Sequence, residues 1–199
     1  MLNKLQEVNK QAALNTSRAL SKLIGRPVVV EISRPVLKKV EEVSPIINPE
    51  EIVAAIYLPV TGAIKGASLL IFPKETAFAL SDLLVKREPG TTRKLTDLDK
   101  SALKEVGNIL SGSYLSVLSN MLQIKIIEHM PQFSFDMFGA VTSQVISEFA
   151  QKAEEALVVE IEFTFKPIRL KGYFLLLFRQ EEINAIIGSL KEQRAASNR

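Results

Sequence analysis

Cysteine is absent from the 199 residues, so the chain can form no disulfide, no thiolate metal site and no cysteine nucleophile. Histidine is nearly absent: the single His129 excludes multi-histidine metal sites and leaves any Ser-His-Asp arrangement dependent on one residue. Long apolar runs are missing too. The longest, near Tyr173 to Phe178 and Ala67 to Phe72, fall far short of the ~20 residues that span a bilayer. The start, Met1-Leu2-Asn3-Lys4-Leu5-Gln6-Glu7, is polar and amphipathic, unlike a signal peptide. No basic stripe interleaved with aromatics is present. The 25 basic and 22 acidic residues nearly balance at +3, so nucleic-acid binding is not expected despite the high pI. What remains is 47% hydrophobic, enough for a sizeable core. A soluble, cytoplasmic protein with no membrane association is expected.

The most informative coarse feature is a repeat. Gly66-Ala67-Ser68-Leu69-Leu70-Ile71-Phe72-Pro73-Lys74-Glu75 parallels Gly172-Tyr173-Phe174-Leu175-Leu176-Leu177-Phe178-Arg179-Gln180-Glu181. In each, a glycine opens an apolar run of strand length that leads through a polar step into a helical stretch, Glu75 to Leu84 and Glu181 to Leu190. A long amphipathic helix precedes each run, about Asn3 to Ile24 and about Asp97 to Leu122. The second has a clear start: Thr96 is a candidate N-cap, Asp97 and Asp99 suit the positive end, and Leu98 begins the apolar pattern. β-Branched runs follow both helices, Val28 to Ile32 and Ile124 to Ile127. Strands also fit Glu51 to Val60 and Ala156 to Phe165. Each half reads as long helix, strand, variable segment, two strands and shorter helix. Glu88 to Arg93 carries turn residues and joins the halves. The expectation is one domain over residues 1–199, built of repeats at about 1–88 and 94–192, with Gln193 to Arg199 a polar tail.

Drawn as a wheel, the second long helix gathers Ala102, Val106, Ile109, Leu110, Val117 and Met121 on a broad apolar face. Opposite runs a narrow stripe of Ser101, Glu105, Asn108, Gly112 and Ser119. Glu105 and Asn108 stand three apart and so side by side. Gly112 presents almost no bulk one turn after Asn108. A glycine inside a helix costs about 1 kcal/mol relative to alanine, which is easier to understand if another chain must approach there. By pattern alone such a stripe is ordinarily a solvated face, and Glu-x-x-Asn by itself is a weak motif.

Ser101-Ala102-Leu103-Lys104-Glu105-Val106-Gly107-Asn108 resembles the phosphatase signature of the CheC, CheX and FliY family. That signature has Asp or Ser, three residues, Glu, two residues, Asn, twenty-two residues and Pro. Counting on from Asn108 reaches Pro131 at the required place. The family's duplicated architecture also resembles the repeat, so the resemblance covers essentially the whole chain. It implies an α/β fold of the α+β kind: two pseudo-symmetric halves, a mainly antiparallel sheet and two long helices side by side with exposed free faces. It further implies hydrolysis of the aspartyl phosphate of a CheY-type response regulator. In that chemistry Asn108 orients the attacking water and Glu105 pairs with the regulator's active-site lysine. The Mg²⁺ sits in the regulator, so this chain needs no metal or cofactor of its own. A carboxamide suits the task because it accepts from water and donates to a phosphoryl oxygen without changing protonation state.

Ser101 fills the Asp-or-Ser position, and it reads equally as a first-turn polar residue. Pro131 shapes the chain beside the helix and has no chemical role. His129 reads as an exposed or partly buried strand residue. In the first half, the matching positions hold Asn3, Glu7 and Lys10. The proline position there holds Ser33, with Pro35 close by. Lysine cannot replace a neutral, two-way hydrogen-bonding amide. Leu14 and Arg18 intrude where the second helix keeps Gly112 and Ser116, so the first site reads as degenerate. Two rival functions remain. One is a non-catalytic binding module like the FliM-type switch proteins. The other is a regulator acting mainly through CheD, a deamidase that partners some CheC proteins, although no CheD-binding surface can be read from the residues.

Overall fold

The structure is a computed structural model that describes residues 2–39, 47–149, 155–178, 181, 182, 184 and 186. The elements in order are α1 (Leu2–Ile24), β1 (Val29–Ile32), β2 (Val36–Lys39), β3 (Ile52–Gly62), β4 (Gly66–Pro73), α2 (Lys74–Leu84), α3 (Asp97–Leu122), β5 (Ile126–Glu128), β6 (Gln132–Met137), α4 (Phe138–Phe149), β7 (Glu155–Phe165) and β8 (Ile168–Phe178). Both long helices lie where their periodicity puts them. The segments that read as variable contain β2 in the first half and β6 with α4 in the second. The expected helix from Glu181 and the tail from Gln193 fall largely or wholly outside the described residues.

All strand pairs are antiparallel, in the order β1-β7-β8-β4-β3-β5, with β2 continuing β1 along β7 and β6 continuing β5 along β3. The fold class expected from the sequence is the one observed. A pseudo-two-fold axis passes through the β4–β8 contact, where Leu69 faces Leu175. Around it, Gly66 lies under Phe178 and Gly172 under Phe72; a Cβ on either glycine would collide with the facing chain. The same symmetry carries Ser68 onto Phe174, since Ser68 faces Leu176 and Leu70 faces Phe174.

The sheet edges repeat a further detail. From Ile32 to Val36 the first edge advances four residues while its partner advances three, from Ile161 to Val158. From Glu128 to Gln132 the second edge makes the same bulge against Val60 to Tyr57. Ile32 therefore corresponds to Glu128, and Pro35 to Pro131. The hydrogen bonds thus place Pro35, and not Ser33, at the first half's proline position. The helix ends agree. Gly25 and Gln123 both adopt left-handed backbone, φ 78° and 56°, and cap carbonyls of Ser21 and Ser119. The hydroxyls of those serines donate to Val28 O and Ile124 O. Counting back from this pair sets Leu14 against Gly112, Ala13 against Ser111, Lys10 against Asn108 and Glu7 against Glu105.

The main core lies between the sheet and α1, α2 and α3, and a smaller cluster around Phe138 and Ile71 fills the opposite face. α1 and α3 pack side by side. The fully buried Tyr114 donates its hydroxyl to Asn9 Oδ1 at 2.9 Å, and Asn9 Nδ2 donates to Ser33 O at 2.6 Å. Burial pushes the Tyr114 hydroxyl's pKa well up.

The link between halves is held by two buried carboxylates. Asp82 accepts from the amides of Gly90 and Thr91 at 2.8 and 3.0 Å, and from the amide and hydroxyl of Thr92 at 3.1 and 2.5 Å. Asp99 accepts from Thr96 N at 2.7 Å and from Arg87 at 2.6 Å. For Asp82, burial raises the pKa, but the bonds from Thr92 and Thr91 outweigh it and hold the group below its ordinary 3.8. Stability from this carboxylate is therefore complete above that ordinary value and is lost as pH falls through the lower folded value. Asp82→Asn is expected to lower stability by about 2–4 kcal/mol at neutral pH. The gap to the wild type should close on acidification below pH 3.8, measured by urea unfolding across pH.

Candidate functional site

The site begins with the seating of α3. Thr96 and Asp99 form a reciprocal capping box, which fixes the first turn. Ten residues of the helix are buried, and those after Asp99 turn to the core, among them Leu103, Val106, Gly107, Leu110, Tyr114 and Leu118. This centre is rotated from the one the apolar residues suggest: Ala102, Ile109, Val117 and Met121 are only half-buried, and Leu98 is 59% exposed. Gly107 and Ser111 carry no hydrophobic signal, yet both face inward. At Gly107 the helix rests on β3, and a Cβ there would sit 2.7 Å from Ile56 Cγ2.

That seating turns Ser101 and Glu105 fully outward and leaves Asn108 and Gly112 at the half-buried margin. Asn108 Nδ2 donates to Glu105 Oε2 at 3.3 Å. The amide is held at its nitrogen end by its neighbour, and its oxygen lies at the opposite end. Ser119 does not extend this stripe, because its hydroxyl ties the helix end to Ile124. Pro131 stands in the bulge between β5 and β6. Beside it His129 is exposed, with its ring 2.8 Å from Thr61 Oγ1 and its amide bonded to Pro59 O.

The corresponding face of α1 carries Glu7, Lys10, Leu14 and Arg18, all exposed. The Asn3 side chain lies outside the described residues. Glu7 and Lys10 thus match Glu105 and Asn108 on adjacent helices, and of the two helices only α3 combines such an amide with a glycine one turn on.

One residue escaped the sequence reading. Glu128 ends the short β5 and points back under Gly112, its Oε2 3.5 Å from where a Cβ would lie. Its Oε1 has no solvent contact and no hydrogen-bond partner among the described residues. Burial raises its pKa, and the Ser111 hydroxyl partly opposes the rise. An acid in so short a strand reads as solvent-facing, so only its correspondence with Ile32 could have exposed it. A cleft of about 390 Å³ lies elsewhere, between β1, β7 and β8, and no residue of α1 or α3 lines it. Among the described residues no three His, Asp or Glu side chains come together as metal ligands would.

These features define a duplicated α+β scaffold that displays a short polar motif on one of two neighbouring helices. A family model described as the CheC-like family matches residues 98–131, which span the α3 stripe and end at Pro131. The CheY-P phosphatase CheC of Bacillus subtilis strain 168 is 31% identical over 159 residues, covering 78% of this chain and 76% of the relative. The chain belongs to the CheC-like family. The crystal structure of Thermotoga maritima FliY shares its fold with a TM-score of 0.78 at 19% identity, covering 96% of both chains. A Borrelia burgdorferi CheX solved as a CheX–CheY–BeF₃–Mg²⁺ complex gives 0.54 at 17% identity over 86% of this chain and 98% of that one.

The two α3 glycines should behave oppositely. Gly107→Ala forces a methyl group into Ile56 and is expected to destabilise by about 1–3 kcal/mol. Gly112→Ala meets only ordinary contact and should stabilise the helix by up to about 1 kcal/mol. Chemical denaturation of both variants checks this; a destabilised Gly112→Ala would show that the fold itself needs the glycine.

Proposed function

We propose that this protein hydrolyses the aspartyl phosphate of a CheY-type response regulator through the exposed stripe of α3. The observation that carries the reading is the Glu105–Asn108 pair, hydrogen-bonded at 3.3 Å on the outward side of α3. The family relationship supports it. In this mechanism Asn108 inserts toward the regulator's phosphoryl group and its amide orients a water in line with phosphorus. Water adds its oxygen to phosphorus as the bond to the aspartate oxygen breaks, leaving inorganic phosphate and a free carboxylate. Glu105 pairs with the regulator's active-site lysine and fixes the docking register. The regulator contributes the electrophile and its Mg²⁺, which offsets charge on the phosphoryl oxygens. Positioning of this kind can contribute several kcal/mol to the barrier. Ser101, one turn before Glu105, and Gly112, one turn after Asn108, would line the contact.

A second reading, docking without hydrolysis in the manner of FliM-type proteins, is favoured by the first half alone. There Lys10 replaces the amide, and Leu14 and Arg18 stand exposed over the face. In the proposed function that half is catalytically silent.

The test is dephosphorylation of a panel of phosphorylated regulators from the same organism. Asn108→Ala should abolish acceleration while leaving regulator affinity nearly intact, and Glu105→Ala should weaken both. Wild-type turnover by Asn108→Ala would refute the mechanism. Lys10→Ala should change turnover little. Lys10→Asn alone, in an Asn108→Ala background, should not restore it, because Leu14 and Arg18 still cover the approach.

A further inference from the structure

The pseudo-symmetry compares the α3 site with a counterpart on α1 that lacks the amide. Around Gly112 the difference is a connected set. Ser68 and Ser111 are both fully buried, with their hydroxyl oxygens 2.7 Å apart, and Ser111 lies beside the Glu128 carboxyl. The pseudo-two-fold axis puts Phe174, Ala13 and Ile32 at the corresponding places. Phe174 is fully buried and packs on Tyr114 at 5.4 Å between ring centres; Ala13 is buried, and Ile32 packs against the main core. The scaffold therefore accepts apolar residues at all three positions. The polar column costs more to bury than that apolar set, since among the described residues Glu128 Oε1 has no hydrogen-bond partner.

Gly112 sets where this carboxylate can be reached. A side chain there would stand directly over Glu128 Oε2, as Leu14 stands at the corresponding place on α1. Glycine places no side chain over that oxygen, on the same stripe as Asn108 and one helical turn away. We propose that Glu128 is a second docking carboxylate of the α3 site, reached through the Gly112 notch, and that it receives a lysine or arginine side chain of the phosphorylated regulator. A cation is the favoured occupant because charge-assisted hydrogen bonds compensate a desolvated carboxylate better than neutral donors. This rests on the regulator-phosphatase reading above. It assigns Glu128 to affinity and partner choice, not to the chemical step.

The test uses the full chain and the regulator whose dephosphorylation the wild type accelerates, activated with beryllofluoride for binding and phosphorylated for turnover. Glu128→Gln keeps the shape without charge. Glu128→Ile installs the residue the first half uses. Both are expected to raise Kd and KM about tenfold, and to make binding less sensitive to salt. kcat at saturating regulator should stay near the wild-type value. Glu128→Ile should melt no lower than the wild type, which a merely structural role would not predict. Unchanged Kd in both variants overturns the proposal, as does a fall in kcat with KM unchanged. Failure of the phosphatase reading appears separately, as a wild type that accelerates no regulator's dephosphorylation. A wild type that also binds no activated regulator overturns both.

Discussion

The contact between Gly107 and Ile56 sets the geometry on which the rest depends. With a Cβ at Gly107 only 2.7 Å from Ile56 Cγ2, α3 can lie this close to β3 only as glycine. The neighbour of that glycine is Asn108. Pressing position 107 onto the sheet turns 108 to the helix margin and 105 to the solvent. The Thr96–Asp99 box and the Arg87–Asp99 ion pair then fix rotation and height at the N-terminal end. On α1 the corresponding residue is Asn9, which reaches sideways to Tyr114 and Ser33. At this one position α3 touches the sheet and α1 makes hydrogen bonds to its neighbours, although the backbone plan is the same.

The duplication explains how the halves could diverge. The reciprocal Gly–Phe contacts across β4 and β8 and the matching edge bulges belong to the fold, and both halves keep them. What differs is concentrated on one patch: amide against lysine, glycine against leucine, carboxylate against isoleucine. Features that both halves share need only a folding explanation. Those confined to one half, at some cost to its apolar packing, are where a functional one is required.

Much of this was legible in the sequence. Thr96, Asp97 and Asp99 announced the start of α3, because capping chemistry is local. The paired Gly-plus-apolar runs announced β4 and β8, because buried central strands tolerate little else. The Glu105, Asn108 and Pro131 spacing pointed at the stripe the fold exposes. The core face of α3 was misjudged by part of a turn, since Gly107 and Ser111 face inward without apolar character. The strands β2 and β6 were lost in variable segments because each is short, exposed and interrupted by a proline bulge. Glu128 was missed for a related reason: its burial depends on a helix more than ten residues earlier in the chain, and periodicity in a three-residue strand cannot report it.

The central claim is that α3, and not α1, meets the regulator's phosphoryl group. The most direct measurement is a crystal structure of this protein with its CheY-type regulator bearing beryllofluoride, which stands in for the phosphoryl group, and Mg²⁺. The account predicts α3 over the regulator's acceptor aspartate, with the Asn108 amide within hydrogen-bond reach of the in-line water position and Glu105 on a regulator lysine. A complex in which the regulator sits on the Lys10 face of α1, or leaves the α3 stripe in solvent, would contradict it.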